Sequence, residues 1–184
     1  MPMCEPAAAV YRPITAEELT RALFRDFVRR QVVDQCWRRG PDGGWEVRSA
    51  PFIDDWAEED YAALLQCLRG TLRQGGLVLG AFCGGVLKGF VSVEGPPLPQ
   101  PGRVLDLTSL HVSQDMRRRG MGRALFLQAA DWARAQGADK LYLSGHSAAE
   151  TQCFYRGLGC VDAQFPDPHH TAQEPFDCQL EYPL

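Results

Sequence analysis

Arg117-Arg118-Arg119-Gly120-Met121-Gly122 stands between an apolar run, residues 103–113, and an amphipathic stretch, residues 120–136, and its reading decides the fold. The first run is the strongest strand candidate in the chain. The second carries Met121, Leu125, Ala129, Trp132 and Ala133 on one stripe and predicts a helix that Gly137 closes. A helix starting here leaves its first N–H groups without internal acceptors, and its dipole adds positive potential. Gly120 and Gly122 have no side chains to keep a ligand off that backbone. Arg117, Arg118, Arg119 and Arg123 add charge in a chain whose net charge is -4. The segment is therefore expected to hold an anion such as a phosphate, against the plainer reading of a tight turn under a solvated basic patch. A P-loop does not fit, because Arg123-Ala124 follows Gly122. A dinucleotide fingerprint does not fit either, because Leu125 occupies the position of its third glycine.

Working outward, residues 140–144 form a second strand. The strand–helix–strand unit 103–144 implies parallel pairing with a right-handed crossover. Upstream, the apolar runs 77–82 and 86–93 flank Cys83-Gly84-Gly85 and predict a β-hairpin. Tyr61, Leu64, Leu65 and Leu68 recur at helical spacing and predict a helix over 58–73, ended by Gly75-Gly76. Thr15-Ala16-Glu17-Glu18 reads as a capping box opening an earlier helix that carries Leu19, Ala22, Leu23 and Phe27 to about Val33. Residues 38–55 read as a loop, broken by Gly40-Pro41-Asp42-Gly43-Gly44 and Pro51. Ser147-Ala148-Ala149-Glu150 is a second capping box, for a helix ending near Leu158-Gly159. Strands over 161–165 and 178–182 surround a loop rich in Pro and His. The expected order is α, α, then β-β-β-α-β-α-β-β, an α/β class with a mixed central sheet flanked by helices. No shift in composition divides the chain, so residues 1–184 are expected to form one domain, with 1–9 a loose lead-in and a short strand at Val10-Tyr11-Arg12.

The mildly acidic balance argues against general nucleic-acid binding, which needs a basic face. No basic, apolar leader precedes Val10, and no apolar run is long enough to span a bilayer. A cytoplasmic protein without a membrane partner is expected. The seven cysteines, Cys4, Cys36, Cys67, Cys83, Cys153, Cys160 and Cys178, show no CxxC spacing. They read as free buried thiols rather than as a zinc site, and His169-His170 lacks ligand spacing, so no metal is expected.

With these elements in place the chain resembles the GNAT superfamily of N-acetyltransferases. The family's signature is Gln or Arg, two residues, Gly, one residue, then Gly or Ala, which Arg117 to Gly122 matches. The element order and the segment Phe154-Tyr155-Arg156-Gly157-Leu158-Gly159-Cys160 extend the likeness over about residues 77–161. The resemblance implies the GNAT acyl-CoA N-acyltransferase fold, with acetyl-CoA as cosubstrate and its pyrophosphate on the loop from Arg117 to Arg123. It also implies the pantetheine arm between the strands 103–113 and 140–144, alongside Leu110, His111 and Val112. Many members carry an Asn seven residues before the Tyr; here that position is Ala148, with Ser147 or His146 as neighbours to replace it.

Acyl transfer to an amine needs a base, a stabilised carbonyl oxygen and a protonated leaving thiolate. Asp106, a carboxylate inside the central strand, is the first base candidate, set against a purely structural hydrogen bond. Glu94, at the end of the preceding strand, is the second. Alternation puts His111 on the face opposite Asp106, where it reads as a satisfied, semi-buried histidine. By resemblance Tyr155 is the acid, against a packed aromatic. Asp54, Asp55 and Trp56 form an acidic, aromatic candidate for binding a cationic acceptor; a cap for the next helix competes with it. The expected function is acetyl transfer from acetyl-CoA to a primary amine of a small molecule or peptide. The alternatives are a non-catalytic CoA-binding sensor and an interaction module with a basic patch. The late strand 178–182 is available to pair two copies as a homodimer.

Overall fold

The computed structural model describes residues 9–184; Cys4 and the lead-in expected over 1–9, except Ala9, lie outside the described residues. Among the described residues nine strands and four α-helices follow one another as β1 (Val10–Pro13), β2 (Arg30–Arg39), β3 (Trp45–Asp55), α1 (Glu58–Arg73), β4 (Leu77–Cys83), β5 (Val86–Val93), β6 (Val104–Val112), α2 (Met121–Ala135), β7 (Lys140–Gly145), α3 (Ala149–Leu158), β8 (Val161–Asp162), α4 (Pro168–Gln173) and β9 (Cys178–Pro183). Seven strands form one mixed sheet in the order β1-β4-β5-β6-β7-β9-β8, and β2 and β3 form a separate two-stranded sheet, which an isolated bridge between Cys36 and Ala148 ties to the start of α3. The β6–β7 pairing is parallel and the others are antiparallel, as the crossover through α2 requires.

Alternation along the strands divides the core in two. Leu79, Val91, Leu105, Leu107 and Leu141 face α2, whose Met121, Leu125, Phe126 and Ala129 are fully buried. Val78, Phe82 and Phe90 point the other way, onto Tyr61, Leu65 and Leu68 of α1. Each helix thus lays its apolar stripe on one face of the sheet, the two-layer burial that stabilises an α/β domain. The α1, β4, β5, β6, α2 and β7 assignments agree with the sequence reading to within a residue or so.

The N-terminal third differs from that reading. Residues 15–27 do not form the expected α-helix. Glu18 accepts a hydrogen bond from the Thr15 N–H at 2.9 Å, so half of the capping box forms, but only a single 3-10 turn, Arg21–Phe24, follows. Leu19, Phe24 and Phe27 are buried against α1 and Phe90 without a helix to carry them. The chain then becomes strand β2, where the β-branched Val32 and Val33 and the aromatic Trp37 favour extended backbone. The expected loop over 38–55 is instead the turn at Gly40–Gly44 and strand β3. Pro51 is tolerated because this sheet has only two strands, and an edge strand has a side on which a missing N–H is not needed. The expected strand 161–165 shortens to β8, and the Pro/His loop contains α4, capped by Asp167, which accepts from the His169 and His170 N–H groups. Of the described cysteines, Cys36, Cys83, Cys160 and Cys178 are buried as expected, whereas Cys67 and Cys153 are exposed.

Candidate active site

Two local irregularities open the sheet. Strands β6 and β7 pair at Val104–Lys140, Leu105–Leu141 and Asp106–Tyr142 and no further. Beyond that point β6 continues to Val112, while β7 stays with β9. In addition, Ser109 faces Ser92 and Leu107 faces Val93, so Thr108 is an extra residue, a bulge in β6. Bulges bend a strand and re-aim its side chains. Here the bulge reverses an expectation: Asp106 and His111 come to the same face, because the alternation between them is shifted by one.

The gap between the strands widens into a cleft of about 610 Å³. Its floor is Leu107, Thr108, Leu110, His111 and Val112 of β6, and Phe154 and Tyr155 of α3 close one wall. At the mouth lies the start of α2. The first helical hydrogen bond runs from the Ala124 N–H to the Gly120 carbonyl at 3.0 Å, so the amides before Ala124 have no acceptor in the helix. Arg118 has φ 60° and Gly120 φ 81°; a left-handed Arg costs roughly 1–2 kcal/mol. Such backbone strain is concentrated where a site needs it. Arg117, Arg118, Gly120, Gly122 and Arg123 line the cleft. Met121 is buried in the core and anchors the helix start from below, and Arg119 is not among the lining residues. Arg118 pairs with Glu150 of α3 at 2.7 Å. Arg117, half-buried, donates to the Val112 carbonyl at 3.2 Å, and its pKa is lowered by burial and then by the nearby Arg29. The amides, the positive rim and the glycines fit a pyrophosphate.

Tyr155 is buried, with its ring 5.1 Å from Phe154 and 6.3 Å from Phe126. Burial, then Cys160 and Asp177, push its pKa well above the ordinary phenol value, so the hydroxyl keeps its proton throughout the neutral range. His111 lies beneath Trp56 and beside Phe90, at ring distances of 4.8 and 5.3 Å, and its Nδ1 accepts from Arg29 Nε at 3.2 Å. Burial, followed by Arg29 and Arg117, depresses its pKa to about 3. Protonation therefore favours the unfolded chain, and the contribution to stability is lost as pH falls from about 6.5, the usual histidine value, towards 3. The imidazole signals of His111 should not titrate between about pH 5 and 8 in NMR spectra; a midpoint within that range would contradict the buried, neutral ring.

The other expected site residues are spread more widely. Asp106 is buried, its Oδ2 2.6 Å from His170 Nε2 of α4 and its Oδ1 without a partner among the described residues. It does not line the cleft. Glu94 follows β5 and accepts from Thr71 at 2.6 Å and Thr108 at 3.1 Å, so it reaches the cleft only through Thr108. Asp54 is 2.6 Å from Arg29 and Asp55 is 3.7 Å from Arg30. Both carboxylates are thus ion-paired, Trp56 covers His111, and none of the three lines the cleft; neither Asp54 nor Asp55 caps α1, where Asp60 accepts from the Ala57 N–H at 2.7 Å. Ser147 is buried and accepts from Arg38 at 2.6 Å, away from the cleft. His146 lines the cleft instead and accepts from the Ala148 N–H at 3.0 Å just before α3. Arg29 just before β2, Gln31 of β2 and Asp177 before β9 also line the cleft. None of these three was singled out from sequence, because none sits in a local pattern.

Among the described residues no group of three His, Cys, Asp or Glu side chains is placed to hold a metal, and no helix is long and apolar enough to cross a membrane. A comparison with curated proteins finds no match. Among solved structures the chain is similar to nourseothricin acetyltransferase, at 19% identity and a TM-score of 0.71 over 96% of this chain and 98% of that one. It is similar to a protein of Bacillus anthracis str. Ames assigned as a streptothricin acetyltransferase and solved with acetyl coenzyme A (14%, TM-score 0.67, 94% and 95%). It is also similar to the PaiA N-acetyltransferase of Thermoplasma acidophilum, solved with coenzyme A (16%, TM-score 0.61, 96% and 99%). At these identities the likeness is one of fold. The model of the Acetyltransferase (GNAT) family matches residues 42–160, the stretch that contains the splayed strands, the open helix start and Tyr155, and the chain belongs to that family of acetyltransferases.

Proposed function

We propose that this chain acetylates a primary amine of a small molecule or peptide, using acetyl-CoA as donor, by direct attack within the cleft. The carrying observation is the splay of β6 from β7, which leaves a through-sheet gap with the open amides of α2 at one end and Tyr155 at the other. The α2 amides, Gly120, Gly122 and the Arg117–Arg123 rim hold the pyrophosphate. Leu110, His111 and Val112 flank the pantetheine arm, and Tyr155 hands its proton to the departing thiolate. The thioester supplies the activated acetyl group; the protein supplies position, exclusion of water and proton transfer. Nourseothricin acetyltransferase and the Bacillus anthracis relative are named for small-molecule acceptors, which supports that acceptor class here. Cys36, Cys67, Cys153, Cys160 and Cys178 are thiols outside any disulfide, which supports a reducing, cytoplasmic setting.

Calorimetry with coenzyme A, together with thiol release from acetyl-CoA across a panel of polyamines, amino acids, aminoglycosides and lysine peptides, tests this reading. Binding with amine-dependent release is expected. Binding without release for any amine would favour a sensor, and no binding would overturn the assignment of the cleft.

A further inference from the structure

A direct transfer needs two substrates present together, and the cleft described so far accounts for the donor. A second cavity, of about 480 Å³, lies between the β2–β3 hairpin and the segment joining β8 to β9. Trp45, Arg38, Ala163, Thr171 and Phe176 are among its walls. Asp177 lines both cavities. It is placed by Ser144 at the end of β7, whose Oγ donates to its Oδ2 at 3.2 Å while accepting from Gln179 at 2.9 Å. The other carboxylate lining the donor cleft, Glu150, is exposed and ion-paired to Arg118. Asp106 is bonded to His170, and Glu94 is bonded to two threonines. Asp177 is thus the carboxylate that reaches the donor cleft without a salt bridge.

We infer that Asp177 is the general base, and that the acceptor reaches it through the second cavity while acetyl-CoA occupies the first. This assignment rests on the acetyltransferase reading above. The acceptor's ammonium gives one proton to the Asp177 carboxylate. Its nitrogen then bonds to the thioester carbonyl carbon as the C–S bond breaks. The thiolate takes the Tyr155 proton, the second proton on the nitrogen restores the Tyr155 phenol, and Asp177 releases its proton to solvent. The sum is one amide, one thiol and one proton from an ammonium and a thioester.

The groups around Asp177 set when it can act. Burial raises its pKa above the usual carboxylate value and Glu174 adds to this, whereas His146, Ser144 and His170 oppose it. Tyr155 and Cys178 are its other titratable neighbours, each with its own pKa pushed up in part by this carboxylate. A base works only when deprotonated, so activity falls as pH drops through that raised value.

The test uses whichever panel amine gives the fastest thiol release. Asp177→Asn should lower kcat/KM for the amine by about a hundredfold at neutral pH, remove the acidic limb of the pH profile, and leave coenzyme A affinity within about twofold. Asp177→Glu should restore about a tenth of the rate, which shows the carboxylate to be the active part. Ala163→Trp, which fills the second cavity, should raise the amine KM about tenfold with the acetyl-CoA KM unchanged. A wild-type enzyme that turns over while Asp177→Asn matches it within about threefold and keeps the acidic limb would overturn the base assignment, most directly if Asp106→Asn or Glu94→Gln removed that limb instead. An unchanged amine KM in Ala163→Trp would overturn the route. A wild-type protein that binds coenzyme A and turns over no amine would defeat the acetyltransferase reading itself, a different result from either.

Discussion

Gly122→Glu is expected to raise the dissociation constant for coenzyme A by about a thousandfold or more, which corresponds to roughly 4 kcal/mol. A Cβ at this position would already stand 3.3 Å from the Phe154 ring and 3.6 Å from Val112. The Glu side chain has no room on the inner side and must extend into the cleft. There its carboxylate competes for the α2 amides and the arginine rim, and it repels the pyrophosphate. Hydrogen bonds to a charged partner contribute about 1.5–3 kcal/mol each, so losing two of them accounts for the predicted figure before repulsion is added. Gly70→Glu on α1, where an added Cβ meets nothing within 4 Å, is the control and should bind as the wild type does. Calorimetry at matched salt decides the matter. An affinity for the Gly122 variant within about threefold of wild type would place the pyrophosphate elsewhere.

Tyr155→Phe is expected to lower kcat by about a thousandfold, within the 10²–10⁴ range typical of a lost acid, and to leave coenzyme A affinity within about twofold. The substitution removes one oxygen and keeps the ring between Phe154 and Phe126, so folding should be intact by circular dichroism. Because the phenol's pKa is raised, its loss should act equally across the neutral range instead of shifting a pH limb there. Steady-state rates of thiol release, with single-turnover measurements to isolate chemistry, test this. A variant with an unaltered single-turnover rate would reduce Tyr155 to a packing residue.

The sequence was readable where one local period dominates. The i, i+3, i+4 spacing in α1 and α2 answers to one buried stripe on each helix, the short apolar runs of β4, β5 and β7 answer to burial on both faces of the sheet, and the structure follows them. Leu19, Ala22, Leu23 and Phe27 misled because their spacing satisfies a helix, whereas the residues that are buried, Leu19, Phe24 and Phe27, fit individually under α1 and beside Phe90. Pro51 and the glycines of Gly40–Gly44 misled in the other direction, since a two-stranded sheet tolerates breakers that a central strand does not. The open start of α2 with its basic rim was legible because its glycines, arginines and helix start are contiguous. The opposite part of the cleft was not. Arg29, His146 and Asp177 lie far apart in the chain and meet only through the β2–β3 hairpin and the β8–β9 segment. A single extra residue, Thr108, was enough to bring Asp106 and His111, expected on opposite faces, to the same face.

The splay between β6 and β7 has a mechanical side. It divides the large sheet into a four-strand block, β1-β4-β5-β6, and a three-strand block, β7-β9-β8, stitched by only three residue pairs and by the packing of α2 across the seam. A ligand seated in the gap touches both blocks and acts as a rivet between them. Its binding free energy then adds to the cohesion of the whole sheet, about 2.7 kcal/mol at a ligand concentration one hundred times Kd. Melting temperature should climb with coenzyme A, and amide exchange should slow most along residues 107–112 and 143–145, the two free margins of the seam.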